Sequence, residues 1–532
     1  MGVLAWITLM PLAGAALTML VPREEEAIHR GIGLGTAIFT FLASLFILGE
    51  FDANQAGFQM EVDKVWIESL GIRFHLGVDG ISLWMVMLTT FLMPVTLLAP
   101  QAIGTRNIRV REFVVAMLVL EAGMIGAFVA LDMFVFYVFW ELMLIPMYFI
   151  IGIWGGERRL YASIKFVLYT LVGSLLMLVA ILYLYAQYHA ATGTFSFDYV
   201  NLVRLTLPYE PQLLCFLAFA LAFAIKVPLF PLHTWLPDAH VEAPTGGSVI
   251  LAGVLLKFGT YGFLRFALPM FPLAAQVMAP AIAILAVVGI IFGALMAYVQ
   301  NDAKKLVAYS SVSHLGFVVL GIFSMGQVAV QGAIYQMLAH GISTGGLFLG
   351  VGLLYDRRHT RKLEDFGGLW KKIPVFSACF LVIVLASVGL PGLCGFIGEF
   401  LVLLGVFNAP VDTLLPQPKV LAIVSATAVI LAAMYLLTMY QRIAFGPLDK
   451  PENKDPHLRD IHGRERWVFG FIIVAALVMG IYPQPILARS EKSVAALISG
   501  FNERLKDSAA NPDAPAHLFP NVAAAAQPGA AK

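Results

Sequence analysis

The sequence predicts an all-α membrane protein that crosses the bilayer fourteen times, and two observations lead to this fold class. Hydrophobic residues make up 60% of the 532 positions and charged residues only 13%, a composition that no soluble globular domain fits. Apolar runs of about 20 residues, the length that crosses a bilayer as a helix, recur along the chain. The predicted spans, numbered in chain order, cover residues 3–21, 31–49, 80–99, 113–131, 133–154, 164–187, 213–240, 246–268, 277–299, 305–323, 328–355, 375–407, 419–442 and 467–487.

The segments outside these spans are short. Residues 1–21 have no basic region ahead of the apolar run and no cleavage site, so they are predicted to be the first span rather than a signal peptide. Residues 50–77 place Val65, Trp66 and Ile67 among polar residues, which favours a short hairpin. Residues 488–508 are predicted to form one amphipathic helix, and the Ala/Pro-rich residues 509–532 a disordered tail.

The distribution of basic residues predicts the orientation. If the N-terminus lies outside, the inside loops hold 22 Lys and Arg and the outside loops only four, as the positive-inside rule requires. One miscounted helix would destroy this asymmetry. The charge pattern therefore supports fourteen spans with the N-terminus outside.

Two spans combine a proline-interrupted helix with an ionisable residue, and their spacing predicts a repeat. Span 7 reads Lys226-Val-Pro228-Leu-Phe-Pro231, and span 12 reads Gly389-Leu-Pro391 followed by Glu399. These spans lie five helices apart, so units made of spans 4–8 and 9–13 must cross the membrane in opposite directions. Discontinuous helices in such inverted repeats line ion paths. The predicted divisions are 1–112 (spans 1–3), 113–268 (first repeat), 269–442 (second repeat), 443–487 (inner loop and span 14) and 488–532.

Several acids, lysines and histidines lie within long apolar stretches. Such a group near the bilayer centre costs about 3 to 17 kcal/mol, depending on the method, so it is usually paired and functional. Together these groups form a candidate proton path. The candidate residues are Glu121, Glu141, Lys226, Lys257, His314, His340 and Glu399.

Other chemistries find little support in the sequence. The net charge of +1 indicates no attraction to nucleic acid, and Cys215, Cys379 and Cys394 are too few for a four-thiolate cluster. The chain has no phosphate loop, nucleophile elbow or dinucleotide fingerprint. His233, Asp238, His240 and Glu242 lack the spacing of a zinc site, and we expect them to cap helices and fix turns.

Five segments resemble the antiporter-like membrane subunits of respiratory complex I, the proton-translocating NADH:quinone oxidoreductase. The long run KVPLFPLHTWLPDAHVEAPTGGS at 226–248 is highly specific, and the resemblance extends over roughly spans 2–14. At position 399 the chain has Glu, which resembles one type within the family, whereas other types and many cation/proton antiporters carry Lys. The shorter matching segments are WELMLIPM at 140–147, LKFGTYG at 256–262, SVSHLG at 311–316 and HGISTG at 340–345.

This resemblance implies the role of one pair, because the family's fifth-span acid and seventh-span lysine match Glu141 and Lys226. Their positions in the sequence give the other expectations: Lys257 lies near the bundle axis as the central relay, and Glu399, at the second broken helix, accepts and donates protons on the exit side. The resemblance also implies a bacterial inner membrane location and neighbouring antiporter-like and other membrane-arm subunits of complex I as partners. This chain would then hold no cofactor, and FMN, iron–sulfur clusters and quinone would belong to the partners.

Each assignment has a plainer alternative. Glu141 and Lys226 would form a static ion pair, Glu399 would be protonated and inert, and Glu121 would contact an adjoining subunit. A neighbouring hydroxyl, from Ser311, Ser313, Ser343 or Thr344, would satisfy His314 and His340. For the whole chain, the rivals are a cation/proton antiporter subunit, a membrane-arm subunit of a related hydrogenase, and a structural scaffold whose buried charges are dispensable.

Overall fold

The chain folds into a bundle of long apolar helices. The structure is a computed structural model and describes residues 2–103, 108–410, 414–455 and 458–509. Eleven of the described helices are long and apolar enough to cross a membrane, or twelve if one bent pair counts as a single span. The all-helical membrane fold is therefore confirmed.

Each predicted span contains at least one helix. In chain order these helices are Val3–Leu20, Glu26–Glu50, Ser82–Leu98, Val110–Val129, Met133–Leu142 with Leu144–Trp154, Arg159–Thr192, Tyr209–Lys226 with Trp235–Glu242, Thr245–Met270, Pro272–Tyr298, Ala303–Phe323, Gln327–Arg358, Pro374–Val388 with Cys394–Phe407, Pro418–Ala444 and Arg464–Ile481.

Spans 7 and 12 are interrupted where the prolines lie. Proline lacks the N–H that continues a helix, and in span 7 the first helix ends at Lys226 and the next begins at Trp235. The Trp235 indole N–H donates to the freed Ile225 carbonyl at 2.9 Å. In span 12, Gly389 adopts a left-handed conformation, with φ of 86°, and ends the helix. Both breaks leave an ionisable residue beside irregular backbone.

Spans 8, 10 and 11 form the centre of the bundle and are almost entirely buried. Span 8 contains two π-helical segments, Leu251–Leu255 and Phe263–Ala267. Such segments are rare and often occur at functional sites. The first one ends two residues before Lys257.

The predicted hairpin and C-terminal helix are both present. Strand β1 (Gln59–Ile67) pairs antiparallel with β2 (Ile72–Val78). The helix Gln484–Ala509 follows span 14 at a bend of 67°. Residues 510–532 of the predicted tail, and Arg106 of the charge pattern, lie outside the described residues.

Candidate proton-relay site

Lys257 and His340 form a buried pair at the centre of the bundle. Lys257 Nζ lies 2.7 Å from His340 Nδ1 and donates to the Ala252 carbonyl at 2.6 Å. The π segment contributes to this geometry, because the Leu256 N–H binds the Leu251 carbonyl rather than that of Ala252. The Ala252 oxygen is thus available to the ammonium. Lys257 is fully buried, so it is not a snorkelling lysine.

His314 and Glu399 form a second buried pair, from spans 10 and 12. His314 Nδ1 lies 2.5 Å from Glu399 Oε1, and Gln336 Nε2 donates to the same oxygen at 2.9 Å. Tyr435 Oη lies 3.3 Å from His314 Nε2. The Glu399 carboxylate is therefore held by an imidazole and an amide.

The two histidine rings connect these pairs. Their centroids are 5.9 Å apart, and His340 Nε2 has no hydrogen-bond partner among the described residues. The serine hydroxyls named above do not satisfy the imidazoles, because Ser311 and Ser313 donate to backbone carbonyls and Nδ1 of each histidine faces Glu399 or Lys257 instead. Lys257, His340, His314 and Glu399 thus form one line of titratable groups.

Lys226 and Glu141 lie at the edge of the same bundle. Lys226 Nζ is 5.1 Å from the centre of the Trp140 ring, a cation–π contact. Glu141 acts on it electrostatically, but the structure gives no direct ion pair between them among the described residues. One Glu141 oxygen is buried without a partner. The static ion pair is therefore not the arrangement observed.

Spans 7 and 8 touch beside Lys226. A Cβ at Gly259 would lie only 2.4 Å from the Phe223 carbonyl and 2.6 Å from a methyl of Val227. Only glycine permits this approach. Lys226 and Lys257 therefore stand on contacting helices.

His240 and Lys304 were not among the predicted relay residues, yet both lie beside it. His240 is fully buried, stacks on Phe348, and has no partner at either ring nitrogen in the part of the chain that the structure describes. Lys304 and Lys257 both act on it electrostatically. The prediction that His240 caps a helix or fixes a turn is wrong. The sequence feature that could have indicated its burial is a histidine on an apolar face, in a helix that follows a proline break.

Of the neighbouring polar residues, Glu242 has the predicted role, because it accepts from the Arg158 N–H at 2.9 Å at the start of span 6. Asp238 instead pairs with Lys165 at 2.7 Å, and His233 stacks on Phe230 with no partner for Nδ1 among the described residues, so the prediction that these two side chains cap helices is wrong. In the part of the chain that the structure describes, no three His, Cys, Asp or Glu side chains are placed to hold a metal ion.

A polar cavity of about 570 Å³ opens at the predicted inner end of this region. Lys304 lines it and is nevertheless almost completely buried, with Nζ donating to the Ala243 carbonyl at 2.5 Å. Lys304 thus lines the cavity and also acts electrostatically on His240.

Glu121 lies apart from these groups. Its side chain is fully buried within this chain, and neither carboxyl oxygen has a partner among the described residues. A group with no exposed surface does not touch another chain, so the predicted alternative of a contact to an adjoining subunit is wrong.

A helical membrane protein with a line of buried lysine, histidine and glutamate side chains has the features of a proton-conducting protein. Two family models match the chain: "NADH:quinone oxidoreductase/Mrp antiporter, TM" over residues 130–427, and "NADH-ubiquinone oxidoreductase chain 4, amino terminus" over residues 8–127.

Similar proteins have the same family description. NADH-quinone oxidoreductase subunit M of Rhodobacter capsulatus is 46% identical over 95% of this chain and 98% of its own. NADH-ubiquinone oxidoreductase chain 4 of Marchantia polymorpha is 43% identical over 93% of this chain and 97% of its own. A chain of respiratory complex I from Thermus thermophilus with bound NADH superposes with a TM-score of 0.82. It is 34% identical, and the match covers 94% of this chain and 99% of that one. The chain therefore belongs to the family of antiporter-like membrane subunits of complex I, in the subunit M (chain 4) group.

Proposed function

We propose that this chain translocates protons as a membrane subunit of NADH:quinone oxidoreductase. The observation that carries the proposal is the buried line from Lys257 through His340 and His314 to Glu399, with contacts of 2.7 Å and 2.5 Å at its two ends. Membership of the subunit M group supports the assignment to this complex.

Protons are taken up from the inner side and released outside. The polar cavity supplies water to Lys304 and His240, and His240 delivers protons to Lys257. Two imidazoles then carry the proton to Glu399, since each can accept at one nitrogen and donate from the other. The route from Glu399 to the outer side passes through the irregular backbone of span 12.

Glu141 and Lys226 form the switch that drives the relay. An ammonium and a carboxylate within electrostatic reach in a low-dielectric interior favour each other's charged states. When redox chemistry in the partners changes this pair, the field at Lys257 changes on the contacting helix. Glu121 serves as an auxiliary proton-binding group, separate from the main line.

The finer architecture is fourteen spans, with inverted repeats in residues 113–268 and 269–442. Three apolar helices of 10–17 residues, Ser82–Leu98, Pro374–Val388 and Cys394–Phe407, support this number because they lie in predicted spans 3 and 12. The matching breaks in spans 7 and 12 support the repeat. The N-terminus faces outward, in a bacterial inner membrane.

Redox chemistry belongs to partner subunits in this proposal. The chain acts as part of a translocase and contributes no redox centre, so FMN, iron–sulfur clusters and quinone are bound elsewhere. Its partners are the other membrane-arm subunits, including neighbouring antiporter-like chains. Purification with a quinone-reducing complex, rather than with an antiporter or hydrogenase assembly, separates this function from its rivals.

The test removes the connecting imidazole. In the assembled complex, His340→Gln should abolish most proton pumping in vesicles, while NADH oxidation by an artificial acceptor that bypasses the membrane arm continues. His189→Gln is the matched control, because His189 stacks on Phe195 outside the relay. Normal pumping by the His340 variant would exclude the proposed line, and a scaffold function would then be favoured.

A further inference from the structure

Three arginines from distant parts of the sequence meet at one end of the bundle. Arg23 follows the first span, whereas Arg109 and Arg111 stand at the start of the helix Val110–Val129. All three line a cavity of about 480 Å³ together with Glu26 and Glu112. None of these residues has a part in the proton relay.

The arginines are only partly neutralised. Glu112 lies 3.4 Å from both Arg23 and Arg111, so one carboxylate serves two guanidinium groups. The Arg23 side chain is 72% exposed, and such surface pairs contribute little. Arg109 has no ion pair among the described residues. The cavity therefore has positive charge available for a ligand.

The helix that begins at Val110 adds a second feature of an anion site. Its N-cap, Arg109, adopts a left-handed conformation with φ of 52°, and no described side chain caps the helix. The first N–H groups of an uncapped helix favour an anion, and phosphate groups bind there readily. Guanidinium groups and helix N–H groups thus meet at one cavity.

The surface next to the cavity is aliphatic. Leu17, Met19 and Leu20, in the last turns of the first helix, are 56%, 63% and 81% exposed. Ile108, beside Arg109, is 43% exposed. Because these side chains end a membrane span, they lie at the level of the bilayer, where the acyl chains of a lipid bound at the cavity would lie against them.

We propose that this cavity binds one anionic phospholipid, with its phosphodiester on Arg23, Arg109 and Arg111 and its acyl chains along Leu17 and Leu20. Basic pockets at the ends of membrane helices bind anionic head groups in this way. A zwitterionic lipid is bound less well, because its choline or ethanolamine cation opposes the arginines.

The experiment measures lipid retained by the purified complex that contains this chain. The complex is loaded with phosphatidylglycerol, exchanged into phosphatidylcholine nanodiscs, and analysed by native mass spectrometry. Each basic residue near a membrane surface contributes about 1 kcal/mol to binding an anionic lipid, so R109Q/R111Q should weaken retention at this site on the order of 30-fold.

K371Q/K372Q is the matched control, since it removes the same two charges from another helix end on the predicted inner side. R23Q is a second test variant, because the Arg23 side chain is 72% exposed and a surface ion pair of this kind contributes little to stability; it should weaken retention several-fold. Equal retention by the wild type and both test variants would overturn the proposal. An equal loss in the control would also overturn it, since the effect would then be general surface charge.

Inorganic phosphate distinguishes whether the bound anion is the phosphodiester of a lipid or a soluble phosphate. Added in excess, it should leave the retained phosphatidylglycerol unchanged, because it cannot replace the acyl-chain contacts. Displacement by phosphate alone would identify a site for soluble anions and overturn the assignment to a lipid.

Discussion

Replacing Glu399 by glutamine tests the outer end of the relay. The Oε1 atom accepts from His314 at 2.5 Å and from Gln336 at 2.9 Å. A glutamine has nearly the same size, and its carbonyl oxygen still accepts one of these bonds. The loss of a charge-assisted bond costs about 1–2 kcal/mol, which is small beside the 5–15 kcal/mol typical of folded domains. The variant complex should therefore assemble.

Proton transfer should respond far more strongly than stability. The amide cannot take up a proton, and a positioned acid–base group typically contributes about 10²–10⁴-fold to transfer. Transfer through this chain should fall at least about 100-fold for Glu399→Gln, and less for Glu399→Lys, because a lysine also binds and releases a proton. The assay is proton translocation per NADH oxidised in reconstituted vesicles, with the exposed Glu364→Gln as control for the removal of a carboxylate. Wild-type pumping by Glu399→Gln would refute this reasoning and remove Glu399 from the path.

Three further predictions follow from other parts of the chain. If Glu141 and Lys226 act as one switch, Glu141→Gln and Lys226→Ala should each abolish most pumping, and the double variant should be little worse than either; multiplicative losses would mean independent action. A cysteine at Glu364 should be labelled only from the inner face and one at Gln55 only from the outer face, and labelling of both from one side would contradict the fourteen-span orientation. For His75, burial lowers the pKa, but hydrogen bonds with Asp198 and Glu61 outweigh it and raise the pKa to about 9. Protonated His75 therefore stabilises the hairpin fully below the unfolded pKa of about 6.5, and this stabilisation is lost as the pH rises through about 9. Hydrogen exchange of the β2 amides should speed up over this pH range in the wild type, whereas His75→Gln should not show this step.

Span positions and helix breaks could be predicted because each depends on local sequence. Apolar length determines where a helix crosses, and two prolines only three positions apart, Pro228 and Pro231, interrupt span 7. The hairpin was predictable for the same reason, since its two strands are adjacent in the chain. These features need no knowledge of distant contacts.

Pairings between side chains were not predictable from residues alone. The contact of Lys257 with His340 joins positions 83 residues apart, and that of His314 with Glu399 joins positions 85 apart. Sequence reasoning placed these groups at membrane depth but could not tell which faces of the helices meet. His240 was assigned to helix capping for that reason, because its burial against Phe348 depends on how spans 7 and 11 pack.

The chemistry at the two ends of the relay explains why an acid at position 399 suits the proposed function. With Lys257 protonated and Glu399 ionised, the line holds two separated charges; after transfer through the imidazoles both ends are neutral. A dry, low-dielectric interior penalises the charged arrangement, whereas water admitted near the helix breaks stabilises it. Hydration would thus set the direction of proton movement between Lys257 and Glu399. With a lysine at position 399, proton transfer would move a single positive charge from one amine to the other, and the number of charges would stay the same. Chains with Glu and chains with Lys at this position therefore need different electric fields from neighbouring residues to drive the same proton transfer.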